Sequence, residues 1–141
     1  MAIQSLSSTT DRSVQVSSQP LLRHQSLGDM KARQAEKIAE IVEALASLGF
    51  DSLDAQAKVF GLCRSTMWVI RKHNHKSSGL SARVINCMSS SEQLHARVRV
   101  KIIEYVVEKA AGLYGHRRAQ RRRFVAQLNA ELVQRVHLAK N

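Results

Sequence analysis

The chain has 141 residues, enough for one small domain and an extension, and it contains a single proline. Its 22 Lys and Arg residues outnumber 11 Asp and Glu residues, so the net charge is +11 and a polyanionic partner is favoured. No apolar run is long enough to span a membrane. The sequence also lacks a charged segment followed by an apolar block, so secretion is not predicted.

The positive charge is unevenly distributed along the chain. Acidic and basic residues balance over residues 1–50, whereas basic residues prevail from residue 51 onward and most strongly over residues 116–141. Charge that served solubility alone need not be arranged in this way, so its distribution favours a localised polyanion-binding surface.

Residues 1–28 differ in composition from the rest of the chain. They hold seven serines and the only proline, Pro20, without a sustained strand or helix period. We therefore predict a disordered Ser-rich arm. The acid-poor composition also fits a transit peptide, but Arg12 and Arg23 are too sparse to favour one.

The first predicted helix begins at Asp29, a favoured N-cap residue, and runs to Leu48, where Gly49 ends it. Its apolar side chains form one stripe with helical spacing: Ile38, Ile41, Val42, Leu45 and Leu48. We expect this helix to act as a scaffold behind the segment that follows.

Residues 53–72 (LDAQAKVFGLCRSTMWVIRK) predict two short helices joined by a tight turn. Ala57, Gly61 and Ser65 lie at four-residue steps, and the small Ala57 side chain lets the second helix approach the first. Gly61 follows the first helix, at a position that needs a left-handed backbone. The side chains expected to face inward are Phe60, Leu62, Met67 and Ile70.

This stretch resembles the phage-repressor-like (Cro/CI-type) helix-turn-helix family, whose usual pattern is close to A-x-x-x-G-x-x-x-S-x-[VIM]-x-x-[IL]. The matching residues are Ala57, Gly61, Ser65, Met67 and Ile70. Gln56 departs from the family, which usually has an apolar residue there, and Leu53 replaces a polar residue that braces a phosphate in several repressors. The resemblance implies that the second helix enters the major groove of DNA. A helix pair of an ordinary bundle is the alternative.

The outward side of the second helix carries the candidate DNA contacts. Arg64 is predicted either to read a guanine through O6 and N7 or to contact phosphate. Ser65 and Thr66 are predicted to bind phosphates or to cap the helix, and Trp68 to contact a thymine or sugar or to lie half-buried against the first helix. The predicted DNA-contacting residues of this segment are Arg64, Ser65, Thr66, Trp68, Val69, Arg71, Lys72 and Lys76.

Two further helices are predicted after a polar loop at residues 73–79. Ser81 is expected to cap a fourth helix ending at Met88, and Ser91 a fifth helix ending near Leu113. A strand is the alternative for the β-branched part of the fifth. The fourth helix is expected to bury Leu80, Val84, Ile85 and Met88. The fifth has one stripe of Leu94, Val98, Ile102 and Tyr105, and a second of Ile103, Val106, Val107, Ala110 and Tyr114. The second stripe needs the last helix or another copy of the chain as its partner.

A last helix is predicted from Arg117 to Leu138, with an apolar face formed by Phe124, Leu128, Leu132 and Val136. Its first turns carry arginines on one side: Arg117, Arg118, Arg121 and Arg122. The cluster is interpreted as a solvated face, a clamp for DNA phosphates or a docking site for an acidic protein. Positive charge at a helix start opposes the helix dipole, so we favour the phosphate clamp.

No pattern predicts catalysis, a cofactor or a metal site. The HNH triplet at residues 73–75 shares letters with a nuclease motif, but the ββα hairpin of such a site is not predicted. His116 and His137 are isolated, and no Gly-rich phosphate loop or nucleophile elbow occurs. Cys63 and Cys87 lack CxxC or Cys/His spacing, so we predict free thiols that fill small apolar spaces in a reducing compartment.

The sequence as a whole predicts an all-α protein with a disordered arm (1–28), a helix-turn-helix domain of four to five helices (29–90) and a C-terminal helical hairpin for dimerisation and basic contacts (91–141). We expect a non-enzymatic, cytoplasmic, nucleoid-associated transcriptional regulator of bacterial or phage type. It is expected to bind double-stranded DNA as a homodimer, with a contact to the transcription machinery. The alternatives are a helical adaptor for an acidic protein and an architectural DNA binder without sequence preference.

Overall fold

The computed structural model describes residues 25–72 and 78–140, with side chains up to residue 134. Its helices are α1 Leu27–Ser47, α2 Leu53–Phe60, α3 Arg64–Arg71, α4 Ala82–Ser89, α5 Ala96–Ala110 and α6 Arg118–Lys140. No strand occurs among the described residues, so the all-α prediction is confirmed for them. The predicted phosphate contact Lys76, the HNH triplet and residues 1–24 of the predicted arm lie outside the described residues.

Two helices begin at residues other than the predicted caps. In α1 the Ser26 hydroxyl accepts from the backbone of Asp29 at 3.1 Å, and the Asp29 carboxylate accepts from the Ser26 backbone at 3.3 Å. Asp29 is therefore the reciprocal partner in a capping box, and its prediction as the N-cap is wrong. The cap of α5 is His95, whose Nδ1 accepts from the Arg97 backbone at 3.1 Å, whereas Ser91 lies in the preceding turn.

The core lies where α5 packs along α1, with the α2–α3 pair on one side and α6 against α4 and α5. The predicted inward stripe of α5 is confirmed, since Leu94, Val98, Ile102 and Tyr105 are all buried. In the second stripe Tyr114 is buried, but Ile103 and Val107 remain exposed. The apolar face of α6 contacts the core at Phe124 and Leu128, whereas Leu132 is exposed and the side chain of Val136 is outside the description. The burial predicted for Leu80, Ile85 and Met88 is confirmed, and Val84 is partly buried.

A buried polar network fixes the segment that leads into α4. The Tyr105 hydroxyl accepts from the Leu80 backbone at 2.9 Å and donates to Oε1 of Gln34 at 3.0 Å. The buried ammonium of Lys109 donates to the carbonyls of Ser78 and Leu80, both at 2.7 Å. The end of the α3–α4 connection is thereby held to both α1 and α5.

Lys109 gives the fold a specific pH dependence. Burial lowers the pKa of Lys109 to about 8 from 10.5, and the charge of Lys31 contributes in the same direction. Between these two values the unfolded chain binds more protons than the folded chain, so the stability rises with pH. We expect the free energy of unfolding to increase by about 1–2 kcal/mol from pH 7.5 to 9.5 through this group.

Urea unfolding at the two pH values, in the wild type and in Lys109→Met, isolates this contribution. The variant should lose the increase that Lys109 supplies, because no ammonium remains at that site to titrate. Burial raises the pKa of Tyr105 and, together with Glu108, that of Tyr114 above 10.0, so their opposing effect begins near pH 10, where the tyrosines of the unfolded chain ionise. Parallel pH profiles for the two proteins would contradict the assignment.

Candidate nucleic-acid interface

The α2–α3 pair has the tight turn that the sequence predicts. Ser52 caps α2 by accepting from the Ala55 backbone at 3.1 Å. Gly61 ends α2 with φ 68° and ψ 27°, the predicted left-handed conformation, and the Leu62 backbone donates to the Ala57 carbonyl at 3.0 Å. Three residues thus separate the two helices, since α3 begins at Arg64.

The buried face of α3 is narrow. Met67 and Ile70 insert into the core beside Phe60, and Leu62 packs partly against it, as predicted. Gln56 is buried at a position where the family that this segment resembles usually has an apolar side chain. Its amide donates to the Phe50 carbonyl at 2.8 Å, whereas its buried Oε1 has no hydrogen-bond partner among the described residues. The exposed side chains are those of Arg64, Ser65, Trp68, Arg71 and Lys72, while Thr66 and Val69 are half-buried. Of the eight DNA contacts predicted on this segment, six lie on α3 and are exposed or partly exposed. A seventh, Lys72, directly follows the helix.

Arg64 forms an ion pair that the sequence does not reveal. Its guanidinium donates to the two carboxylate oxygens of Asp54 at 2.8 and 3.1 Å, across the turn from α3 to α2. The Arg64 side chain is nevertheless 69% exposed. A surface pair of this kind contributes about 0–1 kcal/mol. It orients the guanidinium, which stays accessible to a binding partner outside the chain.

Cys63 lies at the start of α3 and is exposed, which makes its prediction as an apolar filler wrong. The N-cap position of α3 points away from the core, because the inward residues begin at Met67. The Cys63 sulfur lies 3.3 Å from the Ser65 hydroxyl and 3.0 Å from the Thr66 hydroxyl. These contacts, with Ser65 first, lower the pKa of the Cys63 thiol to about 7. Neither hydroxyl supplies a side-chain cap to α3, although capping is one of their two predicted roles.

Trp68 lies on the exposed face of α3 with 45% of its surface accessible. An indole exposed to this extent is compatible with either predicted role, a contact with a thymine or sugar or partial burial against the first helix. The exposed part is in the same helix face as Arg64 and Arg71, at spacings of four and three residues.

The arginine cluster of α6 is divided by the way the helix packs. Arg117 precedes the helix and is exposed, as are Arg118 and Arg122. Arg121 is half-buried instead, with its guanidinium close to the turn at Gly112 and with a buried Nε that lacks a hydrogen-bond partner. The predicted common face therefore loses Arg121. Its place is taken by Arg123, which is not among the predicted contacts and which borders one shallow surface with Arg118 and Arg122.

Two basic surfaces result, and different helices carry them. The α3 surface consists of Arg64, Arg71 and Lys72, and the α6 surface of Arg118, Arg122 and Arg123. Helix α3 packs against α1 and α2, whereas α6 packs against α4 and α5. The directions of the α6 side chains depend on the docking of Phe124 on Lys109, whose ammonium lies 4.4 Å from the centre of the Phe124 ring. The sequence alone does not reveal this contact.

No protein-family model, curated protein or solved structure matches this chain. The resemblance to phage-repressor-like proteins therefore rests on the pattern of residues 57–70, in α2, α3 and the turn between them. Within the described residues, no three His, Cys, Asp or Glu side chains are grouped as metal binding requires. None of the described helices combines the length and hydropathy needed to cross a bilayer.

Proposed function

We propose that this chain is a sequence-specific DNA-binding protein that regulates transcription and uses α2 and α3 as a helix-turn-helix. The observation that carries the proposal is the division of α3 into two faces. Met67 and Ile70 anchor the helix to the core, while polar, aromatic and basic side chains cover its exposed face. A helix held in this way behind a left-handed glycine has the form of a recognition helix that enters the major groove.

Arg64 is the base-reading residue in this proposal. It occupies the first position of α3, the end of a recognition helix that contacts base edges. A bidentate contact with guanine contributes about 1–3 kcal/mol of discrimination. The exposed pair with Asp54 contributes only about 0–1 kcal/mol, so breaking it is a small cost beside the discrimination that a guanine contact supplies.

The other basic side chains supply affinity without reading sequence. Arg71 and Lys72 lie at the far end of α3, where a helix in the major groove approaches the phosphate backbone. The α6 surface offers three exposed guanidinium groups that suit phosphate oxygens. In the proposed regulator, a homodimer presents two α3 helices to symmetric half-sites about one DNA turn, or ~34 Å, apart.

The experiment that tests the proposal combines selection with protection of a thiol. Binding to a random duplex library should enrich one motif. The exposed Cys63, with its pKa lowered to about 7, should be alkylated readily at neutral pH in the free protein. The enriched duplex should slow this alkylation sharply, and a scrambled duplex of the same length should slow it less.

Cys87 provides the internal reference, because it is half-buried on α4 rather than on α3. Its rate should respond little to DNA. Absence of any enriched motif, or equal alkylation of Cys63 with and without the enriched duplex, would overturn the proposal.

A second candidate function is that of a helical adaptor for an acidic protein. It is favoured because the α6 surface lies on a different helix from the proposed recognition helix α3. The same selection separates the candidates. Uniform, salt-sensitive binding to all duplexes would indicate an architectural DNA binder, and no binding to any duplex would favour the adaptor.

A further inference from the structure

We propose that two copies of this chain associate through antiparallel pairing of their α5 helices. The inference supplies the interface of the dimer in the proposed function, but it does not depend on DNA binding. It rests on three features of α5: an exposed apolar row, the distribution of charge beside that row, and a groove next to it.

The exposed row follows the spacing of a helix-pairing seam. Ala96, Val100, Ile103 and Val107 succeed one another at steps of four, three and four residues. Val100, Ile103 and Val107 are 52%, 54% and 61% exposed. This alternation of steps keeps apolar side chains on one side of a helix and is the pattern by which two helices interdigitate.

The opposite face of α5 is already occupied. Val98, Ile102 and Tyr105 are buried in the core of the same chain. The row therefore lies outward on a helix whose position is fixed, and neither α1 nor α6 covers it. A contiguous apolar row on a fixed surface is typical of an interaction site.

The charges beside the row identify the second copy and its direction. The N-terminal half of α5 carries Arg97, Arg99 and Lys101, whereas Glu104 and Glu108 lie in its C-terminal half. The Glu108 carboxylate is bonded to Arg33 and Tyr114 of the same chain, so Glu104 is the acidic group that borders the row. Parallel pairing would bring like charges together at both ends. Antiparallel pairing instead places the basic half of each helix against the acidic half of the other, so the same surface complements itself.

Arg97 and Glu104 form the specific pair in this arrangement. They are seven residues apart, on the same edge of the row, and on either side of its middle. Twofold symmetry then brings Arg97 of each copy opposite Glu104 of the other, twice per dimer. Arg99 lies on the other edge and donates to the Ser89 carbonyl at 3.1 Å, so it is directed toward α4. Arg97 is exposed. The Glu104 carboxylate lies 3.5 Å from Nζ of Lys101 and 3.9 Å from Nζ of Lys37.

A groove beside the row gives the partner's side chains a place to insert. Its walls are formed by Lys37 of α1 and by Val100, Ile103, Glu104, Val107 and Glu108 of α5. The apolar side chains of the row are therefore both knobs and parts of the hole that receives them. A seam on a helix of 15 residues is short, so we expect a weak, concentration-dependent dimer rather than a permanent one.

Sedimentation velocity of the full chain over a range of concentrations, without DNA, tests the inference. The wild type should shift from monomer toward dimer as its concentration rises. Ile103→Asp places a charge in the middle of the row and should remain monomeric. Val133→Asp on the exposed side of α6 introduces the same charge on another helix and should dimerise as the wild type does.

Charge exchange tests the antiparallel direction. Arg97→Glu and Glu104→Arg each place like charges opposite one another, and each should raise the dissociation constant of the homodimer by at least about tenfold. A mixture of the two variants should recover dimers, because both pairs in the heterodimer are then opposite in sign. The double variant should also recover self-association.

A wild type that stays monomeric at every concentration would overturn the inference. So would dimers that form equally well with Ile103→Asp, or single charge variants that the mixture fails to rescue. These substitutions lie on α5 and leave α3 unchanged. A failure of this test is therefore distinct from a failure of the DNA-binding proposal, which the thiol-protection experiment measures.

Discussion

Gly79→Ala is expected to lower the free energy of unfolding by about 3 kcal/mol, through backbone strain and a steric conflict together. Gly79 has φ 73°, a left-handed conformation in which a side chain is strained. A Cβ atom at this position would also lie closer than 3.0 Å to Gln34 Oε1 and to the Tyr105 hydroxyl. The backbone strain alone, or the steric conflict alone, should lower the free energy of unfolding by less than this total.

The conflict at Gly79 cannot be relieved by a small movement. Gln34 and Tyr105 are fully buried, and the Tyr105 hydroxyl is bonded both to Gln34 and to the Leu80 backbone. Displacing the phenol would leave a buried N–H without its acceptor, which costs about 1–3 kcal/mol. The damage should therefore extend to the connection between α3 and α4.

Gly61→Ala is the matched control for the backbone contribution. Gly61 has a similar φ, of 68°, and a Cβ there would meet only the Cys87 carbonyl at 3.8 Å, an ordinary contact. This variant should lose only about 1–2 kcal/mol, the cost of the backbone conformation. Urea unfolding monitored by circular dichroism compares the two, and equal losses would show that the crowding at Gly79 is unimportant.

Local sequence signals predict α2 and α3 well because their determinants are close in the chain. Gly61 supplies the left-handed turn, and Met67 and Ile70 define the inward face at helical spacing. Helix starts are harder, because several residues compete for them. Ser26 and Asp29 are both good caps, and only the reciprocal pair of hydrogen bonds decides which one is the N-cap.

Contacts between distant segments determine what the sequence does not predict. The Tyr105–Gln34 hydrogen bond joins residues 71 positions apart, and no local period indicates it. The burial of Arg121 depends on the rotation with which α6 docks through Phe124. The pair between Arg64 and Asp54 likewise requires the angle between α2 and α3. Each is a consequence of helix packing rather than of helix formation.

Arg64→Ala is expected to reduce discrimination between the enriched duplex and a scrambled one by about 5- to 150-fold, corresponding to ~1–3 kcal/mol. The reason is that a guanidinium at the start of α3 contributes base contacts that no neighbouring side chain replaces. Fluorescence anisotropy titrations with both duplexes at several salt concentrations measure the effect. The affinity for the scrambled duplex should fall much less than that for the enriched one.

Arg122→Ala is the matched control, because it removes the same charge from the exposed α6 surface. It should weaken both duplexes by the same factor and reduce the salt slope by about one, as expected for a lost phosphate contact. Arg121 is unsuitable for this purpose, since its half-buried guanidinium also packs at the Gly112 turn. Asp54→Asn frees Arg64 from its ion pair and should strengthen binding to the enriched duplex. If Arg64→Ala and Arg122→Ala change the two duplexes alike, α3 contributes charge but does not read the bases.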